Sequence, residues 1–458
     1  MTAYLSTLSR DQPVAQKGIG LLIYWGWALT LLYFPSGVLL FYFGSAVYIR
    51  DLLLAAHLVA CLIWIHRLGD LPRVLRRSAI LLLVPIFLIP AVADPEYRFE
   101  ALRTVKWTFF WLDWIFIGYL AFQYRRWNEW LGVFIGMTMF ELLIEWVVGA
   151  CEWHSGHYLF STPTTWNETT PFGVQKVKEL TLEGAIRIRG LQRDVFSFAN
   201  LMAMSSLLGL AFASIVRPVW QRAAGFGWAA FFAVMLFVSG GRSALFGVFA
   251  AVILSVAYAA DRRFAQKWAK PCLLVWVGIA LLVSCTGIGA ISDMVSGAFL
   301  SKSHIGDVTS AYMRDENWSN LLGALEQQPI ILVAGGPVSS LLDSKVAPMF
   351  HWADNQFLWD IYHLGIAGAL AIAFYFFKVL PGSDRESPAT DIVILCLIFV
   401  VGEGIARESL TFMGCMPLFA ACGYVSASSA SSMVNGVPIK THHHRSHHHR
   451  KRHKSRAA

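Results

Sequence analysis

Arg314-Asp-Glu-Asn-Trp318, then Pro329, Gly335-Gly336-Pro337 and His351-Trp-Ala-Asp354-Asn355-Gln-Phe-Leu358, run into Leu364-Gly365-Ile366-Ala-Gly368. The first half of this stretch is polar and punctuated by glycine. The second half passes directly into a long apolar helix. Polar groups are therefore delivered at one face of a membrane, by a chain that is otherwise mostly lipid-soluble. The pattern points to a site where a water-soluble group is handled beside a lipid carrier.

Composition agrees with a membrane class. Apolar residues make up 56% of the 458 and charged residues 14%, with 18 Trp and 32 Phe. A soluble domain carries roughly a quarter charged residues, so the chain reads as an all-α, polytopic membrane helix bundle. With about 20 apolar residues needed per span, the apolar runs predict about twelve helices. They fall near 18–43, 51–66, 78–93, 105–124, 128–149, 194–216, 223–239, 243–260, 271–290, 355–377, 391–406 and 409–427. Pro35-Ser-Gly37 interrupts the first, and residues 36–48 could form a separate short insertion. No cleavable signal peptide is visible. The reading is a single transmembrane domain over 1–428 followed by a tail at 429–458.

Cytoplasmic loops accumulate Lys and Arg. With the N-terminus inside, Arg67, Arg73, Arg76 and Arg77 share one cytoplasmic loop, and Arg125 and Arg126 the next. Arg217, Arg222, Arg262, Arg263, Lys267 and Lys270 fill two more. Both termini are then cytoplasmic, and the loops 150–193 and 291–354 lie on the extracytoplasmic side. The tail holds half of the chain's 14 His among Arg and Lys, with no apolar residue from Thr441 to Arg456. It lacks the means to build a core, and reads as a solvated basic segment touching anionic lipid headgroups. No supporting module argues for nucleic acid. Six of the seven Cys fall in predicted spans, and no Cys-x-x-Cys occurs. They read as small apolar core residues rather than a disulfide framework.

Ionisable residues within or beside spans are costly there and become candidates for function. Glu141 and Glu145 share one helix face. Glu403 and Arg407 are four apart. Arg189, Arg193 and Asp194 flank the start of the sixth span, and Arg242 follows Ser239-Gly240-Gly241. Only Asp113 falls near a midplane. Charges at helix ends that reach toward headgroups are the bland alternative for each one.

Three stretches together carry a resemblance. They are Arg187-Ile-Arg189-Gly190-Leu-Gln-Arg193-Asp-Val-Phe-Ser-Phe-Ala-Asn200, Val238-Ser-Gly-Gly-Arg242-Ser243-Ala-Leu, and the Arg314 to Gly368 region. In order and spacing the chain resembles the bacterial O-antigen ligase and O-antigen polymerase superfamily of membrane glycosyltransferases over roughly 187–370. The resemblance implies transfer of an oligosaccharide from undecaprenyl pyrophosphate, outside the bacterial inner membrane, to an acceptor sugar hydroxyl. The acceptor is lipid A core for a ligase and another lipid-linked repeat for a polymerase.

Such chemistry needs fixed positive charge on the departing pyrophosphate, and guanidinium forks suit phosphate oxygens. The resemblance gives that role to Arg242, Arg314 and Arg193 or Arg189. It also needs a base for the attacking hydroxyl. The family commonly places a histidine just before an asparagine and the following helix; here Asp354 precedes Asn355, with His351 three positions earlier. Asp354, His351 and Glu403 therefore stand as alternatives for the base, and Asp354 could also simply cap the tenth helix. The departure tilts the reading from ligase toward a polymerase of exopolysaccharide, capsule or O-antigen repeats. No Asp-x-Asp or His-Glu-x-x-His is present, so neither a catalytic metal nor a cofactor is expected. Partners would be the lipid-linked donor, the acceptor glycan and membrane lipids, with a flippase and a chain-length regulator left open. A transporter or a membrane scaffold is the competing class.

Overall fold

Pro388–Gly404 forms a helix that is apolar on every side from Ile392 to Gly402. Its described side chains from Ala389 to Gly404 are all buried, as expected for a helix with no polar face to turn outward. The helices Val195–Ile215, Arg242–Ala260, Arg262–Thr286 and Met416–Val434 pack against it.

The computed structural model describes residues 17–26, 28–29, 32, 46–95, 98–123, 127–160, 167–170, 173–176, 181–182, 185–186, 188–192, 195–216, 218–260, 262–286, 318–343, 355–380, 388–405, 410 and 415–434. After a helical stretch at 17–26 come α1 (Ala46–Arg67), α2 (Leu71–Ser78), α3 (Leu83–Ala93), α4 (Arg98–Gln123) and α5 (Trp127–Ser155). Two hairpins follow, β1 (Asn167–Thr170) with β2 (Gly173–Lys176), and β3 (Thr181–Leu182) with β4 (Ala185–Ile186). Then come α6 (Val195–Ile215), α7 (Val219–Val238), α8 (Arg242–Ala260) and α9 (Arg262–Thr286). A helical stretch at 318–327 precedes α10 (Pro329–Ala334), α11 (Gly336–Leu342), α12 (Gln356–Val379), α13 (Pro388–Gly404) and α14 (Met416–Val434). Apart from the hairpins, the regular elements among the described residues are helices.

Five described helical segments are long and apolar enough to cross a membrane: Leu71–Ala93, Val195–Ser214, Val219–Val238, Phe264–Ser284 and Gln356–Val379. The first runs from α2 to α3 through a 3-10 turn, Ala79–Leu82. That turn lies just before Pro85, which has no N–H to continue the α-helical ladder. Large apolar side chains such as Phe237, Val234, Leu282 and Leu370 stay exposed on these segments, the surface a lipid phase would cover.

Small residues let the backbones meet, as in membrane helix pairs generally. Gly118 of α4 lies against the Ala420 carbonyl of α14, and Gly423 of α14 against the Ile115 carbonyl of α4. Gly209 and Gly225 do the same for α6 and α7, each placing its Cβ direction 2.9 Å from the other's carbonyl oxygen. Gly247 of α8 meets the Phe399 carbonyl of α13.

The structure differs from the sequence reading at several helix limits, and it forms helices at 318–327, Pro329–Ala334 and Gly336–Leu342, within the stretch read as the 291–354 loop. The ninth segment starts at Arg262 rather than 271, because the helix runs through Pro271. Its first turns are basic, so hydropathy alone cut them off. The last helix is described from Met416 on; its expected start at 409 lies outside the described residues. The cap of α12 is Asn355, not Asp354: the Asn355 side-chain oxygen accepts from the Phe357 and Leu358 N–H groups.

Gly365 breaks α12 from within, with φ 68° and ψ 177°. The break faces a second one at Gly335, φ 81°, between α10 and α11. A Cβ on Gly365 would lie 2.7 Å from the Gly335 nitrogen, so only glycine allows this crossing.

Candidate functional site

Glu145 and Glu152 are seven residues apart on α5, which brings both to one face two turns apart. Together they hold a single turn of chain at 189–192. Glu152 Oε2 accepts from the backbone N–H groups of Arg189 (3.1 Å) and Gly190 (2.9 Å). Glu145 Oε2 accepts from the Leu191 N–H (2.8 Å), and its Oε1 from Gln192 Nε2 (2.6 Å). Both carboxyls are fully buried, and buried charge survives only with such partners. Glu152 lies beyond the apolar run of its helix. Burial pushes its carboxyl above the usual range, and the Arg189 and Gly190 N–H groups pull it back.

The turn closes at Gly190, whose φ of 59° is left-handed. Arg189, itself buried, donates to the Phe160 carbonyl and lies 4.3 Å over the Tyr158 ring. Its guanidinium therefore ties the chain after α5 to this turn.

The turn leads to α6, and there Asn200 Nδ2 donates to Glu403 Oε2 at 2.6 Å. Both residues are buried. Glu403 comes from the last turn of α13, so this bond joins the start of one helix to the end of another. Ala199, next to Asn200, packs against Gly241, where a Cβ would overlap it. Gly241 directly precedes Arg242, the first residue of α8.

Asn355 ties in a further pair of helices. Its Nδ2 donates to Ser284 Oγ of α9 and to the Ile405 carbonyl just past α13, both at 2.9 Å. Beside it, Gln356 Oε1 accepts from the Leu410 N–H (3.1 Å), while Nε2 donates to Asp360 Oδ1 (2.8 Å). The starts of α6, α8 and α12 and the ends of α5, α9 and α13 thus form one polar end of the bundle.

Of the sequence candidates, Glu403 lies in this polar end and Arg189 at its edge. Arg242 opens α8 there, with nothing described of its side chain. Arg193, Arg314, His351 and Asp354 lie outside the described residues, as does Arg407. Glu141 has no bond to the 189–192 turn among the interactions described.

Asn200, Gln192 and Asn355 were not assigned roles from sequence. Asn200 stood at the end of a quoted motif, but its partner is 203 residues away. No protein-family model matches the chain, and no curated protein matches it.

Proposed function

We propose that the chain is an integral membrane glycosyltransferase that moves an oligosaccharide from undecaprenyl pyrophosphate to an acceptor sugar hydroxyl. It would extend repeats of a surface polysaccharide, with ligation to lipid A core as the nearest alternative. On this reading about twelve spans cross the bacterial inner membrane, both termini are cytoplasmic, and the polar end faces outward. Arg242, Arg314 and Arg193 supply positive charge to the departing pyrophosphate. The base is one of Asp354, His351 and Glu403.

The observation that supports this most is the convergence at the polar end. The Asn200–Glu403 bond, the Gly241–Ala199 contact and the Asn355–Ile405 bond bring together chain positions adjoining Arg242, Asp354 and Glu403. Those positions are far apart in sequence and carry the acid–base and phosphate-binding residue types that the reaction requires.

The test is in vitro transfer by the protein in nanodiscs, given a lipid-linked repeat. A lengthened lipid-linked product together with free undecaprenyl pyrophosphate is expected. Asp354→Asn should abolish product and His351→Gln should weaken it. Wild-type product from Asp354→Asn, His351→Gln and Glu403→Gln alike would leave the reading without a base and sink it.

The facing breaks at Gly335 and Gly365 support a second reading, transport, since discontinuous helices often frame a substrate path. Substrate flux into sealed vesicles without any new glycosidic bond would favour it.

A further inference from the structure

Away from the polar end, the middles of two helices share a compact polar cluster. His57 and Cys61 are four residues apart on α1, which puts them on one helix face, and Asp113 meets them from α4. All three are buried, with exposures of 0%, 0% and 1%. One ligand-capable atom from each lies within 4.8 Å of the other two.

The imidazole has a defined orientation. Its Nε2 lies 2.8 Å from the Leu22 carbonyl oxygen. A carbonyl only accepts, so Nε2 carries a proton and donates it there. The other nitrogen, Nδ1, is turned to the Asp113 carboxyl, 2.7 and 2.9 Å from its two oxygens. Cys61 Sγ stands 3.9 Å from Nδ1 and equally 3.9 Å from Nε2. Trp25 packs edge-on against the ring with centroids 5.2 Å apart, and a Cβ on Gly26 would come within 3.1 Å of His57 Cε1. The ring therefore has little room to turn.

We infer that His57 Nδ1, Cys61 Sγ and Asp113 form a binding site for a divalent transition ion of the zinc class, within the helix bundle and separate from the polar end. Imidazole, thiolate and carboxylate are the three side-chain donors zinc prefers, and three protein ligands leave a fourth position open. A ligating histidine nearly always donates its other N–H to a carbonyl or carboxylate; the Leu22 carbonyl already fills that place. Metal–ligand bonds of about 2.0–2.3 Å place neighbouring donors of a tetrahedral ion some 3–4 Å apart. The Nδ1 to Sγ spacing falls within that range; the thiol turns from its place midway between the two ring nitrogens to face the metal side of Nδ1, and Nδ1 and Asp113 part slightly.

Charge favours the assignment in a low-dielectric interior. Without metal, the His57–Asp113 pair shares one proton and Cys61 holds another, so the cluster is neutral. Binding a dication releases those two protons, leaving Cys61 as thiolate, Asp113 as carboxylate and His57 neutral. The loaded cluster is again neutral, and no uncompensated charge is buried. The inference does not depend on glycosyl transfer.

The experiment loads the full-length protein in detergent with Co(II) and with Zn(II), then measures bound metal and the near-ultraviolet spectrum. The histidine-rich tail takes up metal too, so total content alone does not decide. That tail contains no cysteine and yields no thiolate-to-cobalt charge-transfer band. Wild-type protein is expected to show the band, and to hold one metal ion per chain more than Cys61→Ser. The band should disappear in Cys61→Ser, His57→Asn and Asp113→Asn. Cys61→Ser changes a single atom, and its size-exclusion profile shows whether it stays folded; should it aggregate, Cys61→Ala takes its place. Absence of the band from cobalt-loaded wild-type protein overturns the proposal and leaves the cluster as an interhelical ion pair. Retention of the band by a folded Cys61 variant overturns it equally.

Discussion

Gly190→Ala should destabilise the protein well beyond an ordinary glycine substitution, and the geometry says by how much. The residue has φ 59°, a left-handed conformation that costs an L-residue about 1–2 kcal/mol. The new Cβ would overlap Glu145 Oε2 and lie 2.8 Å from Phe198 Cε2. If Glu145 retreats, its bonds to the Leu191 N–H and Gln192 Nε2 weaken. Each of the two bonds contributes about 0.5–1.5 kcal/mol, so with the backbone cost the total loss is about 2–5 kcal/mol. Gly156→Ala is the control: its φ is 71°, but nothing lies within 4 Å of its Cβ direction, so it carries the backbone cost alone. Thermal unfolding in detergent, followed by tryptophan fluorescence, compares the two. A domain of 150–250 residues shifts by roughly 2–4 °C per kcal/mol, and a longer chain by less. Gly190→Ala should therefore fall by roughly 5 °C and Gly156→Ala by roughly 1–2 °C. Equal shifts for the two variants would refute the carboxylate clasp around 189–192.

Asn355→Ala removes the cap of α12 and the bonds to Ser284 and Ile405, and should cost at least about 1–2 kcal/mol in the same assay; Asn355→Asp keeps the cap acceptor and should lose less. Arg242→Lys keeps the charge but not the two-pronged geometry, so transfer should fall by about tenfold or more at unchanged protein level. Full activity in Arg242→Ala would make this arginine an interfacial anchor. A cysteine placed at Ser303 should react with a membrane-impermeant maleimide in intact spheroplasts; labelling only after lysis would reverse the proposed orientation.

Hydropathy located the apolar helices because lipid-facing and core-facing residues are both apolar, and a window sees their sum. It misplaced ends where a charge or a proline sat inside a helix, as at Arg262 and Pro271. The α12 cap shows a finer limit. Asp354 and Asn355 are both good capping residues, and only the backbone register shows that Asn355 reaches the Phe357 and Leu358 N–H groups. Gly335 and Gly365 stood out as glycines, but that two left-handed residues face one another is a tertiary fact. His57 was not singled out from sequence, and Cys61 read as a small apolar core residue. Their third member, 56 residues from His57, looked from sequence like a solitary midplane aspartate.

The polar end also sorts its carboxylates by what each is already doing. Both oxygens of Glu145 are committed to the 189–192 turn, and Glu152 is held to the same turn through Oε2. Protonating either group loosens that turn and with it the start of α6, so neither suits a base that must gain and lose a proton in each cycle. Asp360 is bonded by Gln356 and lies below the cap, one turn into α12. Glu403 differs in what it meets: the Asn200 side-chain amide donates to its Oε2 across two helices, where Glu145 and Glu152 hold main-chain N–H groups of one turn. The cap of α12 and the bridges to Ser284 and Ile405 belong to Asn355. Glu403 thus stays in contention for the proton, beside Asp354 and His351, which lie outside the described residues.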